Sequence, residues 1–288
     1  FFFKQKTAYE IYQCDWSSDV CSSDLKPRNG NNPATKKVVE IENLNFNYSN
    51  TRALRNINLE ISDGEIVCLM GRNGSGKSTL LNLIVGLLKP TSGEVKILEK
   101  KPNELSGHEL IKTVGLVPQE PTDLLLSDSV LKECQESDKD AQVTSGSTLE
   151  IFEQLISNVS ENTHPRDLSE GEKLSLALSI VLAAKPPLIL LDEPTRGLDY
   201  AAKKILVQNL QKLGKKKHTI ILATHDVELA AEVATRVILL ADGEIVTDGA
   251  ANEVLSSSPM FSPQVSKVMA PSHWLTVSDV VYALEELN

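Results

Sequence analysis

The chain has 288 residues, of which 41% are hydrophobic, and a formal net charge of −10 at pH 7. This acidic balance argues against a nucleic-acid partner, because binding to a phosphate backbone requires a basic surface. No stretch has the length of a transmembrane helix, since the most apolar run covers only residues 174–184. We therefore expect any role at a membrane to require another chain that spans it.

The first 25 residues resemble a conceptual translation of a sequencing-library adapter, and residues 4–11 and 15–25 carry this resemblance. A signal peptide is disfavoured because the segment has no continuous apolar region and carries Asp15, Asp19 and Asp24. We exclude residues 1–25 from the fold as an artefact, which allows the natural protein to extend upstream. Residues 26–36 are then predicted to form a linker.

The cysteines outside this segment are Cys68 and Cys134. Two cysteines, one of them inside an apolar run, favour a reducing cytosol without a disulfide framework. The remaining residues are numerous enough to bury a large core as one large domain or two small ones.

Apolar strands alternate with helical segments along the chain, which predicts an α/β fold with a mainly parallel core sheet. A polar region from residue 129 to 167 breaks this alternation, and a helix through residue 184 follows it, so we predict a helical insertion at about 129–184. The tail, residues 251–288, is predicted to end in an amphipathic helix with Val277, Val280, Val281 and Leu284 on one face. Strands are predicted at 38–41, 57–61, 65–70, 95–98, 114–117, 188–191, 219–224, 237–240 and 244–246; helical stretches at 79–87, 130–133, 148–156, 169–184 and 201–213; and a loop at 138–147.

A glycine-rich loop, GRNGSGKS at residues 71–78, lies between a predicted strand and a predicted helix. It fits the P-loop pattern of Gly, four residues and Gly-Lys-Ser. Its glycines allow backbone N–H groups to point at a phosphate chain, and the helix N-terminus adds its positive dipole end. Lys77 is predicted to reach the β- and γ-phosphates, and Ser78 to ligate Mg²⁺. The alternative is an accidental glycine-rich turn.

Polar side chains stand at the carboxyl ends of three further predicted strands: Gln119, Asp192 with Glu193, and His225. Each has a simple structural alternative, as a turn residue, as solvated acids or as a structural histidine. Because ligands of parallel sheets bind at these strand ends, we expect the four side chains to join the P-loop in one site. Asp192 and Gln119 are predicted to hold Mg²⁺, Glu193 to activate the attacking water, and His225 to contact the γ-phosphate.

Seven motifs stand in one order along the chain: Tyr48, GRNGSGKST, Gln119, LSEGE, LILLDEP, GLD and His225. This order resembles that of the ATP-binding cassette (ABC) ATPases over about residues 37–250. The resemblance implies a P-loop NTPase of the ABC type, with an antiparallel β subdomain and the helical insertion as a second subdomain. It also implies ATP and Mg²⁺ as cofactors and ATP hydrolysis as the activity.

The resemblance implies further site residues. Two cassettes of this family dimerise head to tail, so Ser169 and Gly171 of the signature motif would act in trans on the other cassette's ATP. Asp199 would be the D-loop acid. Glu170 departs from the family pattern, which has glycine there, and its carboxylate would repel a γ-phosphate unless it points away. The residues implied to contact ATP in this chain are Tyr48, which would stack on adenine, and Gly71, Asn73, Gly74, Ser75, Gly76, Lys77, Ser78 and Thr79.

Three classes of ABC protein are open. A chromosome-maintenance ATPase is disfavoured because it needs a long coiled coil between P-loop and signature. A tandem-cassette factor acting on the ribosome usually carries Asn-His where this chain has Arg196-Gly197. The segments 118–121, 192–199 and 261–265 resemble the energy-coupling-factor (ECF) importers of vitamins and metal ions, specifically the second cassette of fused ATPases. We therefore expect a second cassette, a transmembrane subunit and a location at the cytoplasmic face of the cell membrane.

Overall fold

The computed structural model describes residues 36–49, 51–258, 261–270 and 274–286, and the elements below lie within them. The predictions for residues 1–25, and for all of the linker except Lys36, lie outside these residues. The strands are β1 (Lys37–Tyr48), β2 (Thr51–Ser62), β3 (Ile66–Met70), β4 (Ser92–Ile97), β5 (Val114–Val117), β6 (Leu188–Asp192), β7 (Thr219–Thr224), β8 (Arg236–Ala241) and β9 (Glu244–Ala250). The helices are α1 (Lys77–Ile84), α2 (Gly107–Ile111), α3 (Val130–Ala141), α4 (Ser147–Leu155), α5 (Glu170–Ala183), α6 (Tyr200–Lys215), α7 (Val227–Val233), α8 (Ala251–Ser257), α9 (Gln264–Val268) and α10 (Val277–Glu286).

The central sheet has six strands in the order β5-β6-β7-β3-β8-β9. All neighbouring strands run parallel except the hairpin of β8 and β9. Every residue of β3, β6 and β7 is buried, which explains why these strands are near-continuous apolar runs in the sequence. In the hairpin turn, Asp242 and Gly243 both have positive φ, as a two-residue turn of this kind requires. The expected parallel core sheet is therefore confirmed.

Two layers of core enclose this sheet because successive residues of a strand point to opposite faces. Val67 and Leu69 of β3 pack with α1 and the antiparallel sheet β2-β1-β4, whereas Ile66, Cys68 and Met70 pack with α5, α6, α7 and α8. The antiparallel sheet agrees with the β subdomain expected from the family resemblance. The loops at the carboxyl ends of the parallel strands are thereby held between two packed layers.

The region of the predicted insertion contains helices and, within residues 129–184, no strand. One element differs from expectation: residues 138–147 were predicted to be a loop, but α3 continues through Ala141. The reason is Asp138, which is buried and accepts hydrogen bonds from Gly146 N (2.6 Å), Thr148 N (2.9 Å) and Thr148 Oγ1 (2.6 Å). A polar residue that favours a loop by composition is therefore accommodated inside the helix.

The tail carries the predicted C-terminal helix, α10, and most of its apolar face lies toward solvent, while Val280 is half-buried. Val277, Val281 and Leu284 are exposed, whereas Leu275 just before the helix is buried in the core. The described residues contain no helix with both the length and the apolarity needed to cross a membrane. The proposed domain boundaries at 37, 250 and 251 stay predictions.

Candidate functional site

Strand order places the predicted site residues side by side. β5, β6, β7 and β3 are consecutive neighbours in the sheet and run parallel. Gln119 follows the carboxyl end of β5, and Asp192 with Glu193 stands at the end of β6. His225 follows β7, and the P-loop follows β3. The sheet therefore brings four separate segments of the sequence to one edge, where the chemistry of parallel α/β folds is located.

The P-loop conformation depends on glycine at two positions. Gly71 has φ of +154°, and a Cβ atom there would lie 2.2 Å from the carbonyl oxygen of Leu240. Gly76, the residue before α1, has φ of +106°, and its Cβ would lie 2.7 Å from Cδ2 of Leu54 and 2.9 Å from the carbonyl oxygen of Ala53. A side chain at either position would push the loop away from β8 or β2. The glycines therefore fix the loop against both sheets.

Lys77 begins α1 and is buried, with 6% of its side chain exposed. Its Nζ donates a hydrogen bond to the carbonyl oxygen of Gly71 (2.9 Å) and a longer one to that of Arg72 (3.4 Å). It also lies 3.4 Å from Oε1 of Glu193. The lysine charge is thus held inside the loop and balanced by the acid that follows β6.

Asp192 and Glu193 follow one another in sequence but have different surroundings. Asp192 is buried, and burial raises its carboxyl pKa, with a further contribution from the charge of Glu193. The Ser78 hydroxyl and Lys77 act in the opposite direction. Oδ1 of Asp192, Oε1 of Glu193 and Oγ of Ser75 are buried without a hydrogen-bond partner within the described part of the chain. Glu193 faces Lys77 in an ion pair, whereas Asp192 forms no ion pair among the described residues, so its buried charge is less well balanced.

A divalent cation would balance that charge. Mg²⁺ is usually bound by one or two protein oxygens together with phosphate oxygens and water, so a large cluster of acids is not required. Ser78 and Asp192 offer two such oxygens close together, and the orphaned Oδ1 of Asp192 fits a metal ligand. These residues therefore fit Mg²⁺, while Gln119, exposed after β5, stays a predicted third ligand.

Glu193 is oriented by His225. Oε2 of Glu193 lies 2.7 Å from Nδ1 of His225 and 3.3 Å from its backbone N–H, which donates to it. Glu193 has φ of +45°, and its own N–H donates to the carbonyl oxygen of Ala223 (2.7 Å). The strained backbone and the two contacts hold one carboxylate in place beside an imidazole that is 68% exposed. This arrangement is suited to general-base chemistry on a water molecule.

Tyr48 lies at the end of β1, in the antiparallel sheet, and is 48% exposed. It pairs with Thr51 of β2, two residues before Ala53, and Ala53 abuts Gly76 of the P-loop. Phe46 supports the Tyr48 ring edge-on at 4.8 Å between ring centroids. The ring is thus accessible and carried by the hairpin that contacts the P-loop, as the predicted adenine contact requires.

The signature residues are not joined to the P-loop by any described contact. Ser169 caps α5, and its hydroxyl and backbone N–H both donate to Oε2 of Glu172 (2.8 and 2.7 Å), which forms a capping box. Gly171 faces α6, where a Cβ would lie 2.7 Å from Cβ of Ala202. Asp199 caps α6 through the N–H of Ala202 (2.8 Å). The chain thus presents Ser169, Gly171 and Asp199 apart from its own strand-end residues.

Sequence reasoning missed Asp226 and Lys203, which form an ion pair beside His225. The position of Asp226 next to His225, three residues before Leu229, is a recognisable helix-cap pattern, and its side chain does accept from Leu229 N at 3.0 Å. The pairing with Lys203 joins residues far apart in sequence, and no local signal identifies it.

Comparison with known proteins adds the family. Residues 54–196 match the sequence family described as ABC transporter. Two curated Streptomyces proteins, each provisionally named an ABC transporter ATP-binding protein, are similar to this chain. The S. coelicolor protein is 51% identical over 259 residues, and the match covers 90% of this chain and 46% of that protein. The S. avermitilis protein is 53% identical over 251 residues, and the match covers 87% of this chain and 45% of that protein. The chain therefore spans about half the length of these relatives.

Two solved structures share the fold at appreciable sequence identity. The structure of cbiO1 from Clostridium perfringens, described as part of the ABC transporter complex cbiONQ, has a TM-score of 0.69 and 28% identity and covers 87% of this chain and 99% of its own. The dimeric structure of MJ0796, described as a bacterial ABC transporter cassette, has a TM-score of 0.65 and 33% identity and covers 74% and 98%. Nearly the whole MJ0796 cassette therefore aligns with this chain at more than 30% identity.

Proposed function

This chain belongs to the ABC family of ATPases, and we propose that it powers an ECF-type importer that moves a small solute, a vitamin or a metal ion, across the cell membrane. Members of the family hydrolyse ATP. The observation that carries the ATP-hydrolysing role is the convergence of the P-loop, Gln119, Asp192, Glu193 and His225 at the ends of four neighbouring parallel strands.

In this proposal the described contacts have defined roles. Lys77 and the N-terminus of α1 would bind the phosphates, and Ser78 and Asp192 would hold Mg²⁺, which would supply charge compensation for the bound nucleotide. Glu193 accepts the proton of the attacking water, while His225 keeps the carboxylate oriented and turns its exposed ring toward the γ-phosphate. Gln119 contributes to the metal and water shell, and Tyr48 stacks on adenine.

The site is half of a composite site. We propose that a second cassette, identical, paralogous or fused upstream, closes on it, with Ser169 and Gly171 of each cassette reaching the other's ATP. The similarity to a cassette solved as a dimer supports this arrangement. That the matched curated relatives are about twice as long supports the fused form. Closure would move a transmembrane subunit at the cytoplasmic face through contacts near Gln119 and the helical insertion.

The ECF assignment rests on the likeness to cbiO1, which is described as part of a transporter complex, together with the motif resemblance of the sequence. The alternative, a soluble tandem-cassette ATPase on the ribosome, is not favoured, because the similar curated proteins carry transporter names. We expect no nucleic-acid partner.

The test uses Glu193→Gln in the natural full-length protein with its partner subunits. Because a positioned general base contributes roughly 10²–10⁴-fold, hydrolysis should fall by at least about a hundredfold while ATP binding persists. Glu253→Gln, at an exposed acid of α8, is the matched control and should hydrolyse ATP normally. Unchanged hydrolysis by the Glu193→Gln complex would show that this is not the working site.

The transport assignment is tested separately by co-purification. A complex that retains a membrane subunit, with a vitamin or metal ion identified in it by mass spectrometry, supports the importer. A protein that hydrolyses ATP but sediments with ribosomes and never with membranes contradicts it.

A further inference from the structure

The first turn of α6 touches two functional regions of the chain at once. On one side, Ala202 lies against Gly171 of the signature helix: a Cβ added at Gly171 would be 2.7 Å from the Cβ of Ala202. Immediately before this turn, Gly197 lies against the side chain of Glu170, whose Cγ would be 3.2 Å from a Cβ at that glycine. The turn that follows Asp199 is therefore packed directly on the signature motif.

On its other side, the same turn is paired with the loop that carries His225. Lys203 of α6 forms an ion pair with Asp226, and their side chains are 30% and 15% exposed. Lys203 is fixed at its backbone too, since its N–H donates to the carbonyl oxygen of Asp199 (3.0 Å). A pair this sheltered is less screened by solvent and salt than an ordinary surface pair.

Asp226 is held from several directions. Its side chain accepts from Leu229 N (3.0 Å), its own N–H donates to Oγ1 of Thr224 (3.0 Å), and the Thr195 hydroxyl lies near enough to help lower its pKa. Burial acts to raise the pKa of this carboxyl, but Lys203 and the hydrogen bonds outweigh it and hold the pKa below its ordinary value. The charged form of Asp226 is therefore the form that the surrounding groups stabilise.

Asp226 directly precedes α7 and directly follows His225, so its position constrains the histidine backbone. His225 in turn holds Glu193 through two contacts, and Glu193 faces Lys77. An unbroken series of contacts thus runs from the signature helix, through α6, to the carboxylate assigned to water activation.

We propose that Lys203 is a positioning residue for hydrolysis: through Asp226 it sets the placement of His225 and hence the orientation of Glu193. The proposal rests on the proposed function of this site. In this proposal, the first turn of α6 links two sites by direct contacts. One is the signature motif, which serves the other cassette's ATP, and the other is Glu193, the hydrolytic group of this chain. The simpler alternative is an ion pair that only stabilises the packing of α6 on α7.

The experiment compares three variants of the full-length protein assembled with its partner cassette. Lys203→Gln should lower kcat about tenfold and leave the KM for ATP within about twofold, because orientation of the general base, not nucleotide binding, is disturbed. Lys203→Arg keeps the charge and should restore most of kcat. Lys204→Gln removes the same charge from the next position, which is exposed and forms no ion pair among the described residues, and should match the wild type.

A crystal structure of Lys203→Gln gives a reading that does not depend on activity. The contact between Nδ1 of His225 and Oε2 of Glu193, 2.7 Å in the wild type, should lengthen beyond hydrogen-bond distance. If Lys203→Gln does not fold, Thr195→Val removes another partner of Asp226 and should lower kcat in the same way.

Three results would overturn the proposal: normal kcat in Lys203→Gln, an equal loss in the arginine variant, or a kcat loss with the His225–Glu193 contact intact. A wild-type complex whose hydrolysis does not depend on Glu193 contradicts the proposed function instead. The structural comparison still decides the role of Lys203 in that case.

Discussion

Replacing Gly171 by alanine should destabilise the chain through one steric contact. Gly171 lies in the first turn of α5, and the new Cβ would stand 2.7 Å from Cβ of Ala202 on α6. Overpacking of this kind costs about 1–3 kcal/mol, whereas alanine gains about 1 kcal/mol over glycine in a helix. We expect the free energy of unfolding to fall by about 1 kcal/mol, against the direction that helix propensity alone predicts.

The matched change is Ala202→Gly, which removes the other atom of the contact. Alone it should cost about 1 kcal/mol, since glycine replaces alanine in α6. In the double variant the clash is absent and the two propensity terms cancel, so stability should return to about the wild-type value. The coupling energy would then be about 2 kcal/mol, within the range for residues in direct contact. Urea denaturation of the four proteins measures it, and a coupling near zero would refute the reasoning.

The same four proteins separate packing from function. The proposed trans role requires the backbone of Gly171 to approach the other cassette's γ-phosphate, and a methyl group there would obstruct it. We therefore expect the double variant to regain stability but not ATP hydrolysis. Recovery of both properties together would contradict the trans contact.

Two further predictions concern the buried Asp138 and the half-buried Asp226. Asp138→Ala should lower the free energy of unfolding by about 3 kcal/mol, because three donors lose their acceptor, whereas Asp140→Ala on the exposed side of α3 should change little; urea denaturation compares them. In the folded chain the pKa of Asp226 lies below its ordinary value of 3.8. The charged carboxylate therefore contributes its full share to the free energy of unfolding above pH 3.8, and this contribution is lost as pH falls through the folded pKa. The stability difference between wild type and Lys203→Gln should thus hold near neutral pH and shrink below pH 3.8, and an equal gap at low pH would contradict the pairing.

Local patterns sufficed for much of the fold and for the strand-end residues. The strands at 114–117 and 219–224 have the same bounds in sequence and structure, because each is a largely apolar run flanked by polar residues or proline. The P-loop and the capping box of Ser169 were predictable for a similar reason, since each is specified by residues within one turn or loop.

Contacts between distant segments could not be predicted in this way. Asp192 and Glu193 are adjacent acids in the sequence, yet Asp192 forms no ion pair among the described residues whereas Glu193 contacts Lys77 and His225, which come from two other segments of the chain. Asp138 misled the prediction because its partners, Gly146 and Thr148, stabilise a polar residue that by composition favours a loop. Pair interactions of this kind depend on the packed structure and cannot be predicted from the spacing of residues in the sequence.

The signature residue Glu170 shows how such a pair changes a functional inference. By sequence, its carboxylate stands where the family has glycine and would oppose a γ-phosphate. In the structure Oε1 of Glu170 lies 2.8 Å from Nζ of Lys173, and the lysine side chain is only 13% exposed. The aliphatic part of Glu170 covers Gly197, whose φ of +74° suits glycine. The carboxylate therefore lies along its own helix, where a lysine one turn later compensates its charge. This pairing weakens the expected repulsion between Glu170 and a γ-phosphate. Through its aliphatic part, Glu170 also belongs to the contact between α5 and the turn before α6.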